Sequence, residues 1–300
     1  MPATTEPAPA KINLALHVRR RRPDGYHDLE TLFAFATEGD IVTVEAAQTN
    51  SFTLTGPFAS ALIPPSTTLG TVNDEAPRVS NPTSGNAPWQ GNLVTAAADA
   101  FTAEFAPETH HAITLEKHLP VASGIGGGSA DAAATLRALA RLHAITPTDP
   151  RLHDIAARLG ADVPACLANR TTLGTGKGDT LTDVEGLSGT PLLLVNPGVA
   201  VSTAAVFNTW DGKDRGPIPE GNLLDRARAS RNDLETPALA LAPVIAEVRT
   251  LLDTAEGVVL SRMSGSGATC FALFDTPAAR DTAAAAAKAQ GWWTLATKLA

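Results

Sequence analysis

Between Leu119 and Ala133 the chain runs Leu-Pro-Val-Ala-Ser-Gly-Ile-Gly-Gly-Gly-Ser-Ala-Asp-Ala-Ala, with glycine at 124, 126, 127 and 128. A strand-like stretch precedes it and a helical pattern follows. That order makes an anion cradle, because residues lacking Cβ let the backbone approach phosphate oxygens and a helix N-terminus supplies free N–H groups. Ser129 and Asp131 fall in the first turn of the expected helix, where a side-chain oxygen can cap N–H groups or face a metal. Two familiar phosphate motifs fail on spacing. A dinucleotide fingerprint needs glycine three residues beyond Gly126, where Ser129 stands. A P-loop at Gly174-Thr-Gly-Lys-Gly-Asp179 would need glycine in place of Thr171 and a hydroxyl in place of Gly178.

Other residues able to do chemistry are scattered. Asp162 precedes Val163-Pro164, a pattern that opens helices, so it reads as an N-cap or as an acid in a site. Lys11 shares a strand face with Asn13 by the period of two and reads equally as an exposed lysine or as a functional cation. Tyr26 is the only tyrosine, in a turn beside His27. His110 and His111 precede a strand without carboxylate or cysteine partners and are expected to face solvent. Cys166 and Cys270 lack ligand spacing, which argues against a zinc site or disulfide framework.

The elements that must hold these residues are β-rich early and helical later. Ile12 to Val18 alternates as a half-buried strand, a turn lies at 23–25, and strands are expected from Leu29, at 41–45 and at 52–55, antiparallel because the links are short. Residues 56–91 carry no period and read as a long loop or insertion. Helices are expected at 93–105, from Ser129 to His143, and at 152–159 ending on Gly160. The remainder reads as strands at 192–195, 269–274 and 292–297 and helices at 237–253 and 277–289, with a domain boundary near 188. A net charge of −8 and 18% charged residues, without a basic stripe, exclude a nucleic-acid or membrane-surface binder. No apolar run approaches a membrane span and the start lacks a leader pattern, so a cytoplasmic location is expected.

Three segments together resemble the GHMP kinases, the superfamily of galactokinase, homoserine, mevalonate and phosphomevalonate kinases. They are Pro9-Ala-Lys-Ile-Asn-Leu14, the glycine run, and Ser264-Gly-Ser-Gly-Ala-Thr-Cys-Phe271, in the family's order over nearly the whole chain. Arg22-Pro-Asp-Gly-Tyr-His-Asp-Leu29, Gly160-Ala-Asp-Val-Pro164, the extra glycine in Gly126-Gly-Gly128 and Pro197-Gly-Val-Ala-Val-Ser-Thr-Ala-Ala-Val-Phe207 are similar to the branch whose acceptor is a cytidyl-diphosphate-linked methyl-erythritol. The resemblance implies an α+β, two-domain fold with a ribosomal-S5-domain-2-like N-terminal domain (1–188), a ferredoxin-like C-terminal domain (189–300) and an active site in the interdomain cleft.

It also implies roles. Lys11 and Asp162 would be the catalytic pair of a small-molecule kinase with ATP as co-substrate and Mg²⁺ expected. ATP would lie against Pro120, Val121, Ala122, Ser123, Gly124, Ile125, Gly126, Gly127, Gly128, Ser129 and Ala130, with Lys117 and Asn92 near adenine. Tyr26 and Phe207 would sandwich cytosine while His27 reads its polar edge, with Asn13 and Thr203 completing the substrate side. The partner is thus a small cytidyl diphosphate, with no nucleic acid and no membrane. Ala130 stands for a usual serine, Ile125 for leucine and Ala204 for proline. A GHMP kinase for another alcohol and a catalytically silent GHMP-fold binding protein remain the alternatives. Tyr26, His27 and Phe207 tell against the first, and intact Lys11 and Asp162 against the second.

Overall fold

The structure is a computed structural model that describes residues 2–62 and 91–300, together with the backbone of Gly70–Thr71 and Pro77–Val79. Most of the segment expected to be a long loop, 56–91, therefore lies outside the described residues. In chain order the strands are β1 (Thr4–Arg21), β2 (His27–Ala47), β3 (Ser51–Thr55), β4 (Gly70–Thr71), β5 (Pro77–Val79), β6 (His110–Glu116), β7 (Thr172–Thr175), β8 (Thr180–Asp183), β9 (Pro191–Asn196), β10 (Val258–Met263), β11 (Cys270–Phe274) and β12 (Trp293–Lys298). The helices are α1 (Leu93–Phe105), α2 (Gly127–Leu142), α3 (Pro150–Leu159), α4 (Val163–Ala168), α5 (Thr203–Asn208), α6 (Leu223–Arg228), α7 (Glu235–Leu241), α8 (Val244–Asp253) and α9 (Pro277–Ala289).

The chain divides into two compact units, one of Met1–Pro9, Glu38–Val121 and Gly127–Ala168, the other of Ala10–Thr37, Ala122–Gly126 and Asn169–Ala300. A single boundary near 188 does not describe this division. The long strands β1 and β2 each run through both units, and the glycine segment 122–126 groups with the C-terminal half.

In the first unit, Ile41–Ala47 of β2 pairs antiparallel with β6, β6 pairs parallel with β3, and β3 pairs antiparallel with β5. The expectation of antiparallel pairing fails at β3. It holds on the β5 side, but on the other side the partner is β6, reached through α1, and a crossover helix is what a parallel pair requires. Helix α1 packs on α2 and α3, and α2 on α4, burying Val94, Phe101, Leu136, Leu139 and Ile155. Asn92 caps α1, and Asp149 followed by Pro150 opens α3, which ends at Gly160.

In the second unit, β10, β11, β9 and β12 form an antiparallel sheet in that order. One core joins Leu193, Val195, Cys270, Ala272 and Phe274 of the sheet to Ile245, Val248 and Leu252 of α8 and Ala283, Ala284 and Ala287 of α9. The helix expected over 237–253 is two helices. Pro243 sits at the junction, where it lacks an N–H to continue α7 and is tolerated ahead of α8. Elsewhere in this unit Thr31–Phe33 pairs with β7, and β7 with β8 in a hairpin. Its turn, residues 176–179, falls within the Gly174–Asp179 segment rejected above as a P-loop.

Candidate active site

The second unit brings the three motif segments into direct contact. The Lys11 backbone N–H donates to the Ile125 carbonyl at 3.0 Å, and the Asn13 N–H donates to Ser264 Oγ at 3.2 Å. Ser264 Oγ in turn donates to the Gly124 carbonyl at 3.0 Å, and the Thr269 N–H to the Ser123 carbonyl at 3.1 Å. Gly124 lies at φ +78, where a Cβ would stand 2.5 Å from the Ser264 carbonyl oxygen and 2.7 Å from that of Gly267. Glycine at 124 is therefore required by close packing of two backbones. Gly128 differs, since a Cβ there would meet only Leu93 Cδ1, at 3.6 Å. Ala122 adopts φ +52 without being glycine, local strain of the kind that gathers at binding turns.

Lys11 is 3% exposed, which excludes the reading of an open lysine at a strand start. The half-buried reading of β1 fails with it, because Asn13 and His17 on the same face are buried too. Lys11 Nζ donates to Asn13 Oδ1 at 2.8 Å and lies 5.3 Å from the centre of the Phe33 ring. Asn13 Nδ2 donates to Thr31 Oγ1 at 2.8 Å, and Thr31 Oγ1 donates to the Ala15 carbonyl at 2.7 Å. This chain of bonds fixes the Asn13 amide with its oxygen toward the ammonium.

Of the residues expected to hold cytosine, His27 and Phe207 meet in the second unit. His27 and Phe207 have ring centres 4.9 Å apart, tilted by 31°, and Trp210 meets His27 edge-on at 5.7 Å. Burial lowers the His27 pKa, and the Arg21 cation lowers it further, so the ring is neutral at pH 7. Arg21 Nε donates to His27 Nε2 at 3.4 Å, which makes Nε2 the acceptor and places the proton on Nδ1. Tyr26 is 56% exposed, with Lys177 Nζ 5.0 Å from its ring centre. Thr203 is the first residue of α5, and its hydroxyl bonds that of Ser266 at 2.9 Å. Trp210 and Lys177 were not anticipated as site residues, whereas Ser266 lies within the third motif segment. For Lys177 the flanking glycines were the one available signal.

The other expected residues lie in the first unit. Asp162 precedes α4 and its carbonyl accepts the Cys166 N–H at 3.0 Å, the backbone position of a helix cap. Asn92 Oδ1 accepts the Val94 N–H at 2.8 Å. Pro120, Val121, Gly127, Gly128, Ser129 and Ala130 lead into and open α2, Ala130 buried and Ser129 part-exposed. Lys117 is 2% exposed, so its ammonium does not stand open to solvent. It bridges Asp40 at 2.5 Å and Asp131 at 2.6 Å. His111 corrects the expectation of solvent-facing histidines. His110 is exposed, but His111 is buried, and its Nε2 lies 2.8 Å from Nε2 of His143.

Comparison with known proteins agrees with the motif geometry. Residues 92–170 match the GHMP kinases N terminal domain and 219–291 the GHMP kinases C terminal domain. A 4-diphosphocytidyl-2-C-methyl-D-erythritol kinase of Rhizorhabdus wittichii is 52% identical over 98% of this chain and 94% of its own length. One of Novosphingobium aromaticivorans is 48% identical over 97% and 90%. A crystal structure of 4-(cytidine 5'-diphospho)-2C-methyl-D-erythritol kinase superposes with a TM-score of 0.77 at 33% identity, covering 98% of each chain. Homoserine kinase from Cytophaga hutchinsonii, at 16% identity and a TM-score of 0.65, shares the fold. The chain belongs to the GHMP kinases and, within them, to the 4-diphosphocytidyl-2-C-methyl-D-erythritol kinase family.

Proposed function

We propose that this protein transfers the γ-phosphoryl group of ATP to the 2-hydroxyl of 4-diphosphocytidyl-2-C-methyl-D-erythritol, in the non-mevalonate route to isoprenoids. The observation that carries the reading is the aromatic group of His27, Phe207 and Trp210, with Tyr26 adjoining His27 in sequence, in the same unit as the three interlocked kinase motifs. Homoserine and mevalonate carry no aromatic base for such a group to hold.

The transfer forms a bond from the acceptor oxygen to the γ-phosphorus and breaks the bond to the bridging oxygen of ADP. The glycine-rich segment and the first turn of α2 cradle the triphosphate, and Asn92 lies at the adenine end. Lys11, buried and oriented through Asn13, supplies positive charge, and Asp162 orients the acceptor hydroxyl and takes its proton. Tyr26 and Phe207 stack on cytosine, and the Nδ1–H of His27 donates to its acceptor edge. Thr203, tied to Ser266, faces the diphosphate side. A Mg²⁺ ion would arrive on the triphosphate, with the Ser129 hydroxyl as a protein ligand, and would supply charge neutralisation at the γ-phosphate. Among the described residues no group of three or more His, Cys, Asp or Glu could hold a metal. A cytoplasmic location belongs to this reading. Among the described residues, no helix is long and apolar enough to cross a membrane.

The test is ADP release with the cytidyl substrate, homoserine and mevalonate in parallel. Turnover with the cytidyl substrate is expected, and turnover only with either of the others overturns the reading. Asp162→Asn is expected to lower kcat by about 10² to 10⁴-fold with unchanged thermal unfolding. Near-wild-type activity would remove Asp162 from the chemistry.

A further inference from the structure

The glycine-rich segment is bounded on both sides by residues that meet in one buried cluster. Lys117 directly follows β6, and Asp131 lies in the first turns of α2, so the loop between them leaves and returns to a single ammonium group. Lys117 Nζ donates to Asp131 Oδ2 at 2.6 Å and to Asp40 Oδ2 at 2.5 Å. Asp40, on β2, holds the strand exit as well, since its Oδ1 accepts the N–H groups of His118 at 2.6 Å and Leu119 at 2.8 Å. All three charged side chains are at most 3% exposed.

The backbone of α2 rests on this cluster. A Cβ at Gly127 would stand 3.1 Å from Lys117 Nζ, so the first residue of the helix rides almost on the ammonium. The Gly56 turn closes over the other side, where a Cβ would meet the Lys117 backbone at 2.6 Å. A shift of the ammonium therefore moves the helix start, and nothing soft lies between to absorb it.

Charge counting shows that pairing alone does not explain Asp131. Asp40 accepts three donors and by itself balances Lys117. Asp131 Oδ2 accepts the ammonium, and its Oδ1 is buried with no hydrogen-bond partner among the described residues. Burial pushes the Asp131 carboxyl well above the ordinary carboxylate range; Lys117 opposes this and Asp40 adds to it. Burial also works against the Lys117 ammonium, but Asp131 and Asp40 more than offset it and its pKa is raised. A second carboxyl placed at such cost beside an already neutralised lysine has one evident mechanical effect, which is to tie α2 to the strand exit.

We propose that Asp40, Lys117 and Asp131 are positioning residues that set where the N-terminal turn of α2 stands, and so govern nucleotide affinity rather than the chemical step. The proposal rests on the reading of the glycine-rich segment as the triphosphate cradle.

The test is Asp131→Ala, which leaves the one-to-one pair of Lys117 and Asp40 intact and removes the tether to α2. The expected result is a rise of about tenfold in KM for ATP, with kcat and the KM for the cytidyl substrate within about twofold of wild type. Asp131→Asn restores an acceptor for the ammonium and is expected to recover most of the loss. An unchanged KM for ATP, or a fall in kcat alone, overturns the proposal even where thermal stability drops. Should Asp131→Ala not fold, Asp131→Glu, which keeps the charge and lengthens the tether, is read by the same split. Calorimetric titration of MgATP separates the two readings. A wild-type protein that binds MgATP without phosphorylating the cytidyl substrate sinks the proposed activity, and the comparison of variants by MgATP affinity still decides the cluster.

Discussion

A methyl group added at Gly124 and one added at Gly128 separate two reasons for glycine within one run. At 124 the Cβ would lie 2.5 Å from a carbonyl oxygen and force alanine into the left-handed region. The left-handed conformation alone costs about 1–2 kcal/mol, and the backbone clash adds to it. Gly124→Ala is expected to lose about 3 kcal/mol or more in urea unfolding, or to fail to fold. At 128 there is room, and alanine near a helix start gains up to about 1 kcal/mol of propensity. Gly128→Ala is expected to keep or raise stability while raising the KM for ATP, because only a phosphate would approach that backbone closely. An unchanged KM would show that no phosphate does. Phe207→Ala addresses the base instead. Stacking on a base is worth about 1–3 kcal/mol, so KM for the cytidyl substrate is expected to rise about 5- to 150-fold with KM for ATP unchanged. Equal losses for both substrates would mean that Phe207 supports the fold rather than the base.

At the scale of elements, what the sequence disclosed follows from whether the determining interactions are local. Helices α1 and α9 run over the expected residues because Asn92 and Thr276–Pro277 are caps written beside them. The glycine run, Asp162 before α4 and the Tyr26–His27 turn were legible for the same reason. Strand β1 was misread because its polar face is buried by partners remote in sequence, including Thr31, Ser264 and the Gly216 carbonyl that bonds His17 Nδ1 at 2.9 Å. The parallel pairing of β3 and the place of Asp40 beside Lys117 are likewise long-range facts. Arg137 on α2 is another. Its guanidinium donates to Glu6 Oε2 at 3.2 Å, to the Pro7 carbonyl at 2.7 Å and to the Cys166 carbonyl at 2.8 Å, so one side chain joins β1, α2 and α4. Arg137→Ala is expected to cost about 2–3 kcal/mol in urea unfolding, moderated because Arg141 still pairs with Glu6. Arg137→Lys should recover less than half, since an ammonium on one stem does not reach in three directions as a planar fork does. Full recovery by lysine would reduce the arginine to a simple counter-charge for Glu6.

For the whole molecule, acid is the sensitive direction. Burial lowers the pKa values of His17, His27, His111 and His143, with His111 brought down to about 4. A histidine whose folded pKa is depressed binds its proton more readily in the unfolded chain. Its contribution to stability is therefore complete above about pH 6.5 and is lost as pH falls toward the folded value. Asp131 has the opposite sign. Its raised pKa means that the folded state holds that proton more tightly, which offsets part of the loss as pH falls. Between pH 6.5 and 4 the depressed histidines supply a loss and Asp131 an offset of opposite sign. His111, 2% exposed and alone worth up to about 1.4 kcal/mol per pH unit, contributes about 3 kcal/mol of the loss. Urea midpoints should thus fall from pH 7.5 to pH 5. His111→Leu, which gives up the bond to His143 but no longer titrates, should start less stable at pH 7.5 and close the gap to wild type as pH falls. A gap of constant size across that range would show that the buried imidazole does not take up its proton on unfolding.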